Sequence, residues 1–142
     1  KLLNINSTKD AEKNSIGIIH QELNLFPNLS VHENIFMGHE LFNSLNIIDE
    51  KKQKMITKNL MTKLNQNIQP DDIVENLRIG QRQIVEIAKA LAKNTKILIM
   101  DEPSSALSKK EVSILYNVIE DLKLVTLVFS RFGVKEAALT RL

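Results

Sequence analysis

The sequence predicts an α/β fold in which a mostly parallel sheet is interrupted by helices. Three short apolar runs, at residues 16–19, 96–100 and 125–129, indicate strands. Each run is continuous rather than alternating, which is typical of strands that are covered on both faces. Segments with helical periodicity lie between these runs. Together, the buried runs and the intervening helices favour parallel strands joined by helical connections.

The helical segments carry clear start signals. Ser108 followed by Glu111 predicts a capping box at the start of a helix over residues 109–123. A similar pair, Ser30 and Glu33, predicts the start of a shorter helix. One face of the 109–123 helix carries five large residues: Val112, Leu115, Tyr116, Ile119 and Leu122. Such a stripe is expected to pack against the sheet.

Two further helices are predicted between the first and second strands. One begins just after Gly80 and buries Ile84, Ile87, Ala88 and Leu91. The other covers residues 50–65 and is amphipathic through Ile56, Leu60 and Leu64. We therefore interpret the chain as a single incomplete domain with a split organisation: residues 1–26 and 95–142 form the sheet core, and residues 27–94 form an inserted helical subdomain.

Composition narrows the classes of function. A chain of 142 residues, 43% of them hydrophobic, can bury one core but is short for two ordinary domains. Its 19 basic and 17 acidic residues are interspersed, so no nucleic-acid partner is predicted. The absence of cysteine excludes a thiolate zinc site and fits a reducing, cytoplasmic compartment. His20, His32 and His39 lack metal-ligand spacing and are expected on loops or helix surfaces.

The sharpest local signal is the run Ile-Leu-Ile-Met-Asp-Glu-Pro at residues 97–103. Here a buried strand delivers two carboxylates at its C-terminal end, where open α/β sheets bind ligands. Asp101 could hold Mg²⁺, and Glu102 could orient or deprotonate a water that attacks a phosphoryl group. Taken alone, these seven residues could equally end a strand at the surface.

Order and spacing of further motifs add to this signal. Residues 18–25 read IIHQELNL, residues 29–38 read LSVHENIFMG and residues 80–91 read GQRQIVEIAKAL, followed by the Asp-Glu-Pro strand and Ser-Ser-Ala-Leu at residues 104–107. This series resembles the ATP-binding subunits of ribose-, xylose- and galactose-type ABC importers. The resemblance covers about residues 2–128 and is closest to the first of the two ATPase halves that these subunits carry.

The resemblance implies a partial P-loop NTPase fold of the ABC ATPase type, with ATP and Mg²⁺ as cofactors. By similarity, Gln21 and Glu102 are catalytic, and Asp101 and Gln21 bind the metal. Arg78, Gly80 and Gln81 occupy the signature position, where the N-terminus of the following helix suits a γ-phosphate.

The same resemblance implies an assembly at a membrane. The expected partners are membrane permease subunits, a second ATPase half and a periplasmic or lipid-anchored sugar-binding protein. The expected location is cytoplasmic, peripheral on the inner face of the cell membrane. No apolar stretch approaches the roughly 20 residues needed to span a bilayer, so partners would provide the attachment.

Three departures from the family pattern affect phosphate handling. The chain has no G-x-x-x-x-G-K-[ST] loop, and in the family this loop precedes the point at which these residues begin. Arg78 stands where the family has a serine, and Arg131 stands where it has a switch histidine; both could still contact phosphate. We therefore expect a truncated or degenerate copy that is inactive alone. A non-hydrolysing structural or coupling module, or a non-functional fragment, remains the alternative.

Overall fold

The computed structural model describes residues 10, 13–19, 23–93, 95–101, 107–121, 125–130 and 133–136. Its sheet has the strand order β1 (Ile16–Ile19), β2 (Ile97–Asp101), β3 (Val125–Ser130) and β4 (Gly133–Glu136). β2 pairs in parallel with β1 on one side and with β3 on the other. The predicted parallel strands are confirmed, with β2 shifted by one residue and β3 one residue longer.

β4 is a strand that the sequence analysis does not predict. It pairs antiparallel with β3, and Ser130 lies opposite Gly133 in the register. Its four residues include a glycine and two charged residues, so they lack the apolar run that marks the other strands. Pairing with the neighbouring strand, rather than local sequence preference, accounts for this strand.

Four α-helices are described, namely α1 (Val31–Phe36), α2 (Glu50–Lys63), α3 (Ile79–Ala92) and α4 (Lys109–Asp121), with a 3₁₀ turn at Val74–Asn76. The prediction that α3 starts just after Gly80 is wrong by two residues, because Gly80 lies within its first turn. Among the described residues, no helix has the length and apolar character needed to cross a membrane.

α2 ends slightly earlier than predicted, and of the three residues predicted on its buried face only Leu64 is fully buried. Asn65 adopts a φ of 53°, a left-handed conformation in which the helix cannot continue. The buried residues of α2 are Gln53, Thr57 and Met61, and Leu64 follows as its C-cap. The predicted Ile56 and Leu60 are only partly buried against the core. Burial therefore follows the packing of α2 on α1 and α3 more than its apolar pattern.

The core joins the sheet to the helical segment. α3 contributes the largest share of its fully buried residues and packs against α1, α2 and β1. The largest fully buried side chains are Ile19, Ile35, Met61, Leu64, Ile84, Ile87 and Leu98. The prediction that Ile84 and Ile87 lie on the buried face of this helix is confirmed.

A short antiparallel ribbon ties residues 27–32 to residues 70–75. The N–H groups of Val31 and His32 donate to the carbonyls of Asp72 and Pro70, at 2.9 and 3.0 Å. In return, Val74 and Glu75 donate to Leu29 and Pro27, at 3.1 and 3.0 Å. We call this pairing the 27–32/70–75 ribbon. It joins the entry to α1 to the loop that leads into α3.

His32 corrects the expectation of a surface histidine. Its side chain is buried, and its Nδ1 lies 2.9 Å from both Ser30 Oγ and the Pro70 carbonyl oxygen. Because a carbonyl oxygen only accepts, Nδ1 carries the proton. His39 is half-buried, and burial of its ring lowers its pKa. His20 lies outside the described residues, and the described part of the chain holds no metal-binding cluster of His, Asp and Glu.

Candidate functional site

Asp101 is the last residue of β2, a strand flanked by parallel neighbours on both sides. In the register, Asp101 lies opposite Phe129 of β3, and Met100 lies opposite Ile19 at the end of β1. The carboxyl ends of three parallel strands therefore meet at one edge of the sheet. This is the edge at which open α/β sheets bind their ligands.

Three predicted site residues lie outside the described residues: Gln21, Glu102 and Arg131. Gln21 follows the end of β1 by two positions, and Glu102 directly follows Asp101. In sequence, each of the two follows a strand that ends at this edge of the sheet. The contact among Asp101, Glu102 and Gln21 stays a prediction.

The other three predicted site residues meet at the start of α3. Arg78 is the N-cap, with the extended backbone angles φ −66° and ψ 157°. Gly80 and Gln81 lie in the first turn. The N–H of Arg78 donates to Gln81 Oε1 at 3.0 Å, which fixes where the helix begins. The half-buried Gln81 therefore has a structural role besides any ligand contact.

The first turn of α3 has no side-chain cap. The side chain of Arg78, the N-cap residue, accepts from none of the leading N–H groups, because an arginine carries donors only. The N–H groups of Ile79, Gly80 and Gln81 precede the first intrahelical bond, and the positive end of the helix dipole coincides with them. The Arg78 side chain is exposed beside them. Such a helix start attracts an anion.

Arg82 holds the loop in front of this helix start. Its Nε donates to the Leu77 carbonyl at 2.9 Å, and one of its terminal nitrogens donates to the Glu75 carbonyl at 2.6 Å. A guanidinium can bridge two carbonyls in this way because its donors form a fixed fork. The sequence analysis does not single out Arg82. Its position one turn after Arg78 is a signal in the sequence, but this position does not reveal which carbonyls the guanidinium reaches.

α3 is also tied to the segment that follows Gln21. The ammonium group of Lys89 donates to the Asn24 carbonyl at 2.9 Å, across 65 positions of sequence. Two residues further on, the Phe26 N–H donates to the side chain of the buried Asn34 at 2.7 Å. The backbone after the predicted glutamine loop is therefore held by two helices, α1 and α3.

Comparison with known protein families identifies the family to which this chain belongs. Residues 2–105 match the family model described as ABC transporter. The chain belongs to the ABC transporter family, as the resemblance in its motifs implied.

Several curated relatives of the chain are import ATP-binding proteins. The chain is 46% identical over 123 residues to the ribose import ATP-binding protein of Caldanaerobacter subterraneus subsp. tengcongensis, covering 87% of this chain and 25% of the relative. It is 45% identical over 127 residues to the galactose/methyl galactoside import ATP-binding protein of Clostridium tetani, covering 87% and 25%. The chain thus spans about a quarter of the length of these relatives.

Solved structures support the fold. An ATP-binding cassette in a dimeric, post-hydrolysis state with bound ADP and Pi aligns with a TM-score of 0.68 at 23% identity, over 97% of this chain and 67% of that chain. A protein of Clostridium perfringens that is part of an ABC transporter complex aligns with a TM-score of 0.64 at 27% identity, over 87% and 50%. The predicted α/β fold of the ABC ATPase type is confirmed.

Proposed function

We propose that this chain is part of the ATP-binding subunit of an ABC importer for monosaccharides, in which ATP hydrolysis drives uptake. The observation that carries the proposal is the identity of 45–46% to sugar import ATP-binding proteins. The family model spans both the start of α3 and the strand that ends in Asp101. The ATP-binding role rests on these two elements, and the sugar class rests on the relatives.

In this proposal Asp101 holds Mg²⁺, Glu102 orients or deprotonates the attacking water, and Gln21 contacts both. Support comes from the position of Asp101 at the C-terminal end of a strand between parallel neighbours. A carboxylate there can reach a metal at the mouth of the sheet, and oxygen ligands suit Mg²⁺.

The start of α3 would bind the γ-phosphate of a nucleotide that a second ATPase half holds. Its uncapped N–H groups suit a phosphate oxygen, and Arg78 adds a positive charge that a serine does not. These donors fit one side of a triphosphate only. The 142 residues contain no phosphate-binding loop of the G-x-x-x-x-G-K-[ST] type, so they supply only part of a nucleotide site.

The proposed assembly places the chain at the inner face of the membrane. Its partners would be permease subunits, a second ATPase half and a periplasmic or lipid-anchored sugar-binding protein. In the domain division we propose, residues 27–94 form the helical part that meets the permease. The hydrogen bonds that hold residues 24 and 26 against α3 and α1 support a firm surface next to the glutamine loop.

A chimera tests this proposal. The segment that precedes the matched region in the Caldanaerobacter relative would be fused to this chain, and phosphate release from Mg-ATP would be measured. We expect turnover that Glu102→Gln lowers by at least about 100-fold, as loss of a general base does. A folded chimera without turnover, even after Arg78→Ser, would contradict the proposal.

A second candidate is a non-hydrolysing coupling module that grips a permease. The observation that favours it is Arg78, whose long side chain replaces the hydroxyl that the family pattern places at the N-cap of α3. Titration of the same chimera with Mg-ATP separates the candidates. The module predicts no Mg-ATP affinity, whereas the importer subunit predicts saturable binding that depends on Mg²⁺.

A further inference from the structure

A cluster of apolar side chains projects from the loop before α2. The loop of residues 42–48, here called the 42–48 loop, joins α1 to α2. Four of its large side chains are about half exposed or more: Phe42 at 55%, Leu45 at 76%, Ile47 at 60% and Ile48 at 47%. Four such residues within seven positions form an apolar patch that water solvates poorly.

The 42–48 loop is held in shape by its own hydrogen bonds. Phe42 and Ile48 form an antiparallel bridge. The side chain of Asn43 accepts from the N–H groups of Leu45 and Ile47, at 2.9 and 3.1 Å. Below the loop, the Asp49 N–H donates to the Leu41 carbonyl at 2.7 Å. The apolar side chains are therefore presented on a defined turn, and their exposure does not come from an unpaired backbone.

The adjoining helix presents a basic face. α2 contains five lysines and one glutamate, Glu50. Its exposed Met55, at 58%, is accompanied by four exposed lysines: Lys51, Lys52, Lys58 and Lys63. In the described part of the chain, the only lysine of α2 in an ion pair is Lys54, at 2.7 Å from Asp71. Four lysines therefore leave their charge available on this surface.

Acidic groups near the 42–48 loop are mostly engaged with backbone. Glu40 accepts from the Gly38 N–H at 3.0 Å, and Asp49 accepts from the Lys52 N–H at 3.0 Å. Glu50, the third acidic group, is exposed. The lysines still outnumber these three carboxylates, so the surface as a whole stays basic.

We propose that the 42–48 loop and the exposed face of α2 bind the surface of a membrane that contains anionic phospholipid. Apolar side chains would enter the boundary between headgroups and acyl chains, while lysines beside them contact lipid phosphates and carboxylates. An exposed apolar turn with long lysines on the adjoining helix suits a fluid anionic surface, which needs no matched shape. The surface goes beyond the proposed ATPase function and requires no nucleotide.

Vesicle sedimentation tests the surface directly. The unmodified chain would be mixed at low salt with vesicles of phosphatidylcholine alone or with about one third phosphatidylserine. We expect strong sedimentation with the anionic vesicles only, and its loss as salt screens the lysines. A chain that keeps its helical circular dichroism but ignores anionic vesicles would overturn the proposal.

Matched variants locate the binding surface. Lys51→Gln with Lys52→Gln should weaken binding by roughly fivefold per lysine. The control is Lys109→Gln with Lys110→Gln, an exposed pair in the first turn of α4, which should change it little. Equal losses in both pairs would indicate a response to net charge alone and would overturn the proposal.

Apolar insertion has its own pair of variants. Phe42→Ser, in the loop, should weaken binding severalfold, whereas Phe26→Ser should not, although the two phenylalanines are 55% and 52% exposed. Equal effects of the two changes would contradict insertion of the 42–48 loop. Binding that appears only with an acidic protein partner, and never with vesicles, would assign the surface to that partner instead.

Discussion

Asn34 shows how one side chain can shape a turn at the residue scale. The side chain is fully buried in α1. Its oxygen accepts from the Phe26 N–H at 2.7 Å, and its nitrogen lies 3.0, 3.3 and 3.0 Å from the carbonyl oxygens of Phe26, Leu29 and Ser30. One amide thus provides the acceptor for the Phe26 N–H. It is also a second donor to three carbonyls that already accept from backbone N–H groups.

Truncation of this amide should be costly. We expect Asn34→Ala to lower the free energy of unfolding by about 2–4 kcal/mol, because the buried side-chain hydrogen bonds are lost and the Phe26 N–H is left without its acceptor. Asn34→Asp should cost at least as much, since a carboxylate would face carbonyl oxygens. Urea unfolding measures both, with Asn59→Ala at an exposed position of α2 as the control. Equal stabilities of Asn34→Ala and Asn59→Ala would show that the amide does not hold the turn.

The role of a residue could be predicted where its partners are close in sequence. It could not be predicted where a distant segment buries the residue. The Ser30–Glu33 signal lies within four positions of sequence and is confirmed. The burial of His32 depends on Pro70, which lies 38 positions away. In the candidate site, the sequence predicts Arg78, Gly80 and Gln81 at the start of a helix. The hydrogen bonds from Arg82 to the preceding loop could not be predicted, because they depend on the course of that loop.

Two helices, α1 and α4, begin with the same kind of capping box. In α1, the Ser30 N–H donates to Glu33 at 2.8 Å and the Glu33 N–H donates back to Ser30 Oγ at 3.4 Å. In α4, Ser108 and Glu111 exchange the same bonds at 2.8 and 3.3 Å. These bonds stabilise the charged carboxylates. The Ser30 side chain and then its backbone lower the pKa of Glu33, and the Ser108 backbone and then its side chain lower the pKa of Glu111.

This device predicts an acid dependence of stability. A carboxyl whose pKa is lowered by folding stabilises the protein above its unfolded value of 4.5, and that contribution is lost as the pH falls through the lower folded value. We expect the double variant Glu33→Gln, Glu111→Gln to lose less stability on acidification from about pH 6 to about pH 3 than the unmodified chain. Urea midpoints at several pH values measure this. Identical acid slopes would refute it.

The bounds of elements were predictable where a local signal fixed them. α4 begins at Lys109, directly after its capping serine, as expected. α2 ends at Lys63 because Asn65 turns left-handed, which its sequence periodicity does not reveal. β4 depends on pairing with β3, and a window of four mixed residues carries little sign of such pairing.

One close approach between strand and helix affects the whole molecule. A Cβ placed on Gly17 of β1 would lie 2.9 Å from Thr95 Cγ2 and 3.0 Å from Thr95 Oγ1. The Thr95 hydroxyl in turn donates to the Ala90 carbonyl at 2.8 Å, near the end of α3. Thr95 is therefore fixed between the sheet and the helix, and only a residue without a Cβ lets them meet at this distance.

Gly17→Ala should consequently destabilise the fold by about 1–3 kcal/mol through overpacking. Thr95→Ser removes the nearer clashing atom, so the added cost of Gly17→Ala should be smaller in that background. Gly38→Ala is the control: its φ of 76° causes strain, but nothing lies within 4 Å of the new Cβ. Thermal unfolding of the single and double variants measures the coupling. A cost of Gly17→Ala that Thr95→Ser leaves unchanged would argue against the contact.

The fold class was predictable at this scale because continuous apolar runs and capped helices alternate along the chain. The meeting of distant parts was not, since no local pattern specifies that Thr95 reaches Gly17 or that Lys89 reaches Asn24. The same limit applies to the edge of the sheet at which β2 ends. The sequence places Asp101 at a strand end, and only the pairing of β2 with both neighbours makes that end a meeting point of three strands.

The 27–32/70–75 ribbon has a consequence for how this protein can change over evolution. His32 and Pro70 are joined by a hydrogen bond of 3.0 Å, so the segment between them begins and ends at the same place. The entropic cost of closing such a segment depends only weakly on the number of residues in it. The exposed 42–48 loop can therefore change in length while the path from residue 27 to the start of α3 keeps its anchor. α2 has less freedom, because its Met61 and the adjoining Leu64 belong to the core.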